Sequence, residues 1–297
     1  CSTRPAYTSA MQTWDPQFAL RSPMFAPLRA VLGATAYTAW PTPDALNRLA
    51  AEAATRSGGG QPLRFASLSG RAAPGAADYE LRIHDDGVVP LRPGNWHDLF
   101  NALVWLAFPL TKVALNRAHT DEFRAKPAAA RSVRRDALTL FDESGVLVFS
   151  SDLTMLKRIR AFDWKRVFWD ERETLLKTTR CLLFGHGLYE KALSPYVGMS
   201  GHALLLDLPD AFGGRDEAAL DTGLATLDAM AANAVQTCVM QPRDLSPLPV
   251  LGVPGWWDAN NDAAFYDNAR YFRPGRMREL LTRGQEARSE VRTDATG

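Results

Sequence analysis

From Asn95 to His119 the chain is an apolar stretch threaded with a few reactive side chains and cut once, at Pro109. Burying polar groups is costly unless they find partners, so such a stretch is either expensive architecture or a site. Pro109 removes a helical hydrogen bond and disfavours helical geometry at Phe108, yet it suits the first position of a new helix. A kink or a full break is therefore expected there. On an unbroken helix at about 100° per residue, His97, Asn101, Lys112, Asn116 and His119 share an arc of about 100°. The same helix would hold His97 and His119 roughly 33 Å apart, too far for one metal ion. If the chain turns back at Pro109 the two histidines can converge; if it only kinks, the stripe lines an elongated groove.

Other residues join this stripe as candidates. Asn95 followed by Asp98 is a variant of the capping box that opens a helix, so Asp98 has a capping duty as well as a catalytic one to offer. His186 and Glu190 are spaced i, i+4, which lets them face one point as a ligand pair or an acid/base pair. Gly185 and Gly187 flank that histidine, and glycine in a helix suggests close approach of a backbone or a ligand. Asp136 follows Arg134 and Arg135 and could turn its carboxylate toward the helices; a salt bridge to either arginine is the competing reading. Asn101 and Asn116 compete as partners of buried backbone. Lys112 competes as a side chain that snorkels to solvent.

The remaining chain reads as short elements. Helical patterns cover Met24 to Leu32 and Pro43 to Thr55, ahead of a break at Ser57 to Gly60. Pro62 to Leu68 and Tyr79 to His84 read as strands, with Val88-Val89 beyond the Asp85-Asp86-Gly87 turn. Asp136 to Phe141 and Val146 to Phe149 read as a hairpin joined through Asp142 to Gly145. A short helix is expected over Asp152 to Phe162, a long one from about Asp170 to Leu193, a strand over His202 to Leu208, and an Ala-rich helix over Asp216 to Cys238. From Gln241 to Pro274, prolines, glycines and aromatics suggest a long ordered wrap, and the polar end from Arg283 should fray. The expectation is a mixed α+β fold, mainly helical, with a small antiparallel sheet or hairpins, as a single domain over 14–274 between flexible termini 1–13 and 283–297.

Composition excludes several classes. With 297 residues, 46% hydrophobic and 23% charged, the chain can bury a full core, and a net charge of +1 gives no general attraction to nucleic acid or anionic lipid. Arg158, Arg160, Lys165 and Arg166 lie among Trp164, Phe168 and Trp169, and read as a solvated face over core aromatics rather than a nucleic-acid platform. The longest apolar run, Leu99 to Leu110, falls short of the roughly 20 residues that span a bilayer. No secretory signal is visible, and Met11 offers a natural start. The sparse cysteines Cys1, Cys181 and Cys238 point to a reducing, cytoplasmic compartment, against a rival reading of Cys1-Ser2 as a processed lipoprotein terminus. Gly198 to His202 lacks the last glycine of a nucleophile elbow.

Several separate runs carry a resemblance. Asn95 to Ala102, Phe108-Pro109, Lys112 to His119 and Arg135 to Glu143 resemble the bacterial domain of unknown function 3025 (DUF3025) family. Leu183-Phe184-Gly185-His186, Tyr189-Glu190-Lys191 and Leu251 to Trp256 are similar to the same family. The resemblance spans approximately Trp14 to Pro274 and implies a bacterial protein with one family domain; it implies no activity.

Two functional classes follow from the residues. In the first, a metal-dependent hydrolase acts on a phosphoester or other anionic small molecule. His97, His119 and His186 would hold a divalent ion, His97, Asp98, His186 and Glu190 would carry the catalysis, and Asn101, Lys112, Asn116 and Asp136 would hold the substrate. In the second, the chain is a non-catalytic binding or assembly module whose aromatic C-terminal wrap makes the partner surface.

Overall fold

The computed structural model describes residues 12–32, 37–68, 75–125, 132–208 and 217–275. Most of both expected flexible termini therefore lies outside the described residues. The elements are α1 (Ala26–Leu32), α2 (Pro43–Glu52), β1 (Arg64–Ser67), α3 (Ala76–Asp86), β2 (Val88–Leu91), α4 (Trp96–Ala107), α5 (Pro109–Ala125), α6 (Val133–Ser144), β3 (Gly145–Ser150) and α7 (Leu153–Arg160). They continue with α8 (Arg172–Thr178), β4 (Thr179–Leu183), α9 (His186–Ala192), β5 (Ser200–Asp207), α10 (Glu217–Thr237) and β6 (Ser246–Pro249). The fold is mixed α+β and mainly helical. Its larger sheet runs β4-β3-β5-β6, with antiparallel pairs at both edges of a parallel β3–β5 pair, and β1 pairs with β2 in parallel.

Helix α4 is the centre of the core, with every residue from Leu99 to Ala107 buried. It starts where the Asn95 side chain accepts the Asp98 N–H at 3.0 Å. It stops at Phe108, whose φ of −130° and ψ of 58° are the non-helical geometry that a following proline imposes. Pro109 then opens α5, and the two helix axes differ by 110°. A carboxylate from another helix holds this break. Asp228 on α10 accepts from the backbone N–H groups of Leu110 at 2.8 Å and Thr111 at 2.9 Å, and from the Thr111 hydroxyl at 2.6 Å. These N–H groups at the start of a helix have no partner within it, so a buried carboxylate from outside satisfies them. No single helix among the described residues is long and apolar enough to cross a membrane.

Three sequence expectations are corrected. Tyr79 to His84 is not a strand but the body of α3, which ends as Gly87 takes φ 68° and returns its N–H to the Ile83 carbonyl. The hairpin over Asp136 to Phe149 does not exist. Its first half and its supposed turn are helix α6, capped by Ser132 and anchored by buried Ala137, Leu138 and Phe141, while β3 begins at once with Gly145. Gly145 is required there because a side chain would meet the Phe141 carbonyl at 2.4 Å. The long helix from Asp170 to Leu193 is three elements, α8, β4 and α9, because Thr179 to Leu183 is drawn into pairing with β3.

The wrap from Gln241 to Pro274 packs inward. Tyr266, Tyr271 and Phe272 are buried, and the Tyr271 hydroxyl donates to the Met199 carbonyl at 2.7 Å while accepting the Leu251 N–H at 2.8 Å. Asn260, also buried, donates to the Leu251 and Val253 carbonyls. These aromatics hold the segment to its own protein.

Candidate functional site

Five helices and the end of β2 enclose a cavity of about 360 Å³, with α3 contributing Tyr79 and Glu80. The first turns of α4 contribute His97, Asp98 and Asn101, the distal half of α5 contributes His119 and Phe123, and α9 contributes His186. One face of α6 supplies Arg135, Thr139, Asp142 and Glu143. Those four recur at i, i+4, i+7 and i+8, the spacing of a single helical face.

At one end of the cavity the imidazoles of His97 and His186 meet edge to face, with centroids 4.5 Å apart. Glu143 lies between them. Its Oε1 is 3.9 Å from His97 Nε2 and 3.5 Å from His186 Nε2, and one donor atom from each of the three residues falls within 4.8 Å of the others. Behind His97, Nδ1 sits 3.0 Å from Glu190 Oε2. Behind His186, Nδ1 is buried without a hydrogen bond and lies 3.8 Å from Asp142 Oδ2.

The electrostatics follow from these contacts. The hydrogen bond to Glu190 raises the His97 pKa above the ordinary histidine value, against its partial burial, and holds Glu190 below the ordinary carboxylate value. Burial pushes Glu143 and Asp142 upward, but hydrogen bonds and electrostatic contacts with neighbouring groups outweigh it and leave both below the usual range. For Glu143 those groups are His186 and His97; for Asp142 they are led by Lys112 and His186. Lys112 is 5% exposed at its side chain and donates to Asp142 Oδ1 at 2.6 Å and to Asn101 Oδ1 at 3.0 Å. Asn101 in turn donates to the Tyr79 hydroxyl at 2.6 Å. Burial raises the Tyr79 pKa far above normal, so its phenol stays neutral.

The residues singled out in the sequence divide accordingly. His97, His186 and Glu190 come together, and Asp98, Asn101 and His119 also line the cavity or its rim. His119 stands outside the His97, Glu143 and His186 trio, on the wall beside Phe123. Asp98 has its carboxylate engaged: Arg92 donates its backbone N–H at 2.7 Å, Nε at 2.8 Å and Nη2 at 2.7 Å. Lys112 is a buried strut behind the wall, neither snorkelling nor facing the cavity. Asn116 clamps loop to helix, accepting the Gly58 N–H and donating to the Glu80 carbonyl and carboxylate. Asp136 is an exposed residue of α6 away from the cavity, since the strand that would have turned it inward is a helix.

The sequence pattern does not assign Asp142 and Glu143 to the site, because their run has the composition of a turn. The signal was present: Ala137, Leu138 and Phe141 recur with helical spacing behind Ser132, and that reading places both carboxylates beside Arg135 and Thr139. The two glycines around His186 also have a plain cause. A side chain at Gly185 would meet the Gly145 nitrogen at 2.4 Å, and one at Gly187 would meet Glu143 Oε2 at 2.6 Å. Both glycines let α9 seat directly on the end of α6.

A family model described as a protein of unknown function (DUF3025) matches residues 63–276. The chain belongs to the DUF3025 family. The matched stretch contains every residue that lines the cavity, so the site lies within the part that defines DUF3025. Comparison of this DUF3025 chain with curated proteins and with solved structures returned no match.

Proposed function

We propose that the cavity is the active site of a metal-dependent hydrolase, with His97 Nε2, His186 Nε2 and a Glu143 oxygen as the ligands of one divalent ion. One observation carries this reading: two imidazoles and a carboxylate converge at a cavity end, and each imidazole has a carboxylate behind its other nitrogen. In a tetrahedral site with bonds of about 2.0–2.1 Å, neighbouring donor atoms lie roughly 3.4 Å apart. The separations of 3.5 and 3.9 Å around Glu143 are close to that. Glu190 behind His97 and Asp142 behind His186 match the carboxylate–histidine–metal arrangement that fixes the ring tautomer and strengthens the ligand. The unpartnered Nδ1 of His186 is then a group poised to donate to Asp142 when the ring rotates onto an ion.

A divalent ion bound there with an open position would lower the pKa of a bound water toward about 7 and polarise an ester or phosphoester oxygen. The side chains of this protein supply the rest. His97 is 31% exposed and Glu143 46%, so both reach the cavity, while His186 at 8% forms its floor. Lys112 holds Asp142 in place from behind the wall, and Asn101, which accepts from the same ammonium, lines the cavity. The inward packing of the C-terminal aromatics favours this reading over an assembly module that uses them as a partner surface.

Metal analysis of protein purified without chelator, followed by titration with zinc, manganese, cobalt and ferrous ions, tests the proposal. The expected result is one ion per chain, lost in Glu143→Gln and in His97→Ala/His186→Ala, together with ester or phosphoester hydrolysis that needs the ion. Absence of stoichiometric binding overturns the site. Two histidines and one carboxylate also suit ferrous iron, so exclusive retention of iron without hydrolysis overturns the reaction.

A further inference from the structure

The opposite end of the cavity is built for a second charge. His119 is 5% exposed, lines the cavity, and makes no hydrogen bond or ion pair among the described residues. Its ring faces Phe123, and the guanidinium carbon of Arg135 sits 3.8 Å from the centre of that same Phe123 ring. Stacking on an aromatic face fixes a guanidinium while leaving its N–H fork available to a carboxylate or phosphate. Arg135 has no ion pair among the described residues. The acidic side chains around the cavity, in contrast, are already engaged: Asp142 with Lys112, Asp98 with Arg92, Glu80 with Asn116 and Glu143 with His186.

We infer that Arg135 and His119 form an anion subsite, and that the substrate carries a terminal carboxylate or phosphate in addition to its hydrolysable bond; the Thr139 hydroxyl beside them is already committed, donating to the Arg135 carbonyl at 2.8 Å. This rests on the hydrolase reading for the role of the subsite but not for its existence. Arg135 and Glu143 are separated by two turns of α6, so the anionic group lies within roughly 12 Å of the proposed ion. A buried, unpartnered imidazole and a stacked, unpaired guanidinium give one wall of this cavity uncommitted donors, and an anion is the ligand that satisfies both.

Calorimetric titration of full-length, chelator-treated protein with inorganic phosphate and with glutarate tests the subsite apart from any metal. At least one anion should bind, with affinity reduced about 10-fold or more in Arg135→Gln and measurably in His119→Gln. The variant Glu143→Gln, which disables the proposed metal site, should bind the anion at least as well as the natural sequence. Preference for phosphate over glutarate identifies a phosphorylated substrate, and the reverse identifies a carboxylate. Binding of neither anion, or equal binding by Arg135→Gln with an unchanged melting temperature, overturns the subsite even if the ion binds. Anion binding without metal binding preserves the subsite and removes the hydrolase reading.

Discussion

His97 and Glu190, 93 residues apart in sequence, meet across the α4–α9 contact with Nδ1 and Oε2 at 3.0 Å. That single bond determines which imidazole nitrogen is left for chemistry: with Nδ1 held by the carboxylate, Nε2 turns toward Glu143. In the proposed metal site Glu190 is a positioning residue, acting through His97.

Replacement of Glu190 by Gln should weaken metal affinity by about 10–100-fold without loss of folding. The same change should lower the His97 pKa toward its ordinary value, because the hydrogen bond that raises it is weakened. Competition with a chelating dye gives the first quantity and NMR titration of the imidazole gives the second. An unchanged affinity would show that the pair serves only to join the helices.

Gly187 offers a way to separate stability from the site. Alanine there gains up to about 1 kcal/mol of helix propensity. Its new methyl would meet Glu143 Oε2 at 2.6 Å, a contact relieved by swinging that flexible carboxylate aside, and the Glu143 carbonyl at 3.1 Å, which needs only a slight shift between α9 and α6. Gly187→Ala should therefore keep the unfolding free energy from urea titration within about 1 kcal/mol of the natural protein while metal binding weakens about 10-fold.

The buried Lys112–Asp142 pair should behave oppositely. Lys112→Met removes the hydrogen-bonded cation beside the buried Asp142, which costs about 3–5 kcal/mol. The double variant Lys112→Met/Asp142→Asn should recover part of that loss. Urea unfolding of the two variants checks the order, and a double variant no more stable than the single one would contradict it.

His202 gives a pH dependence outside the His97, Glu143 and His186 trio. Burial, helped by the nearby charge of Lys191, lowers its pKa, and its Nδ1 lies 2.8 Å from the Ser144 hydroxyl. With the folded-state value below the unfolded one, the unfolded chain takes up the proton first. The stabilisation is complete above about pH 6.5 and declines as pH falls toward the folded-state value. His202→Gln should flatten the loss of stability between about pH 7.5 and pH 5, measured by urea midpoints.

Local signals were legible where the chemistry is local. The Asn95 cap, the break at Pro109, the strand from His202 and the Ala-rich helix to Cys238 each follow from residues within a few positions of one another. Helix α6 is not legible in the same way, because Asp136-Ala137-Leu138-Thr139-Leu140-Phe141 suits either period over so short a run, and Ser132 and Phe141 decide it only once a core exists to bury Ala137 and Leu138. The break after Thr178 was invisible for a similar reason: pairing with β3 overrides a helical pattern that would otherwise continue to Leu193.

By itself the sequence determined that polar side chains would be carried into a buried segment, that Pro109 would interrupt it, and that the whole belongs with DUF3025. Only the tertiary structure decided which of those side chains share a cavity. Caps and prolines act through bonds within one turn, whereas the meeting of His97, Glu143 and His186 depends on how α4, α6 and α9 cross. That crossing is set by core packing among residues distant along the chain, and it placed Glu143 at the site and left Asn116 and Asp136 outside it.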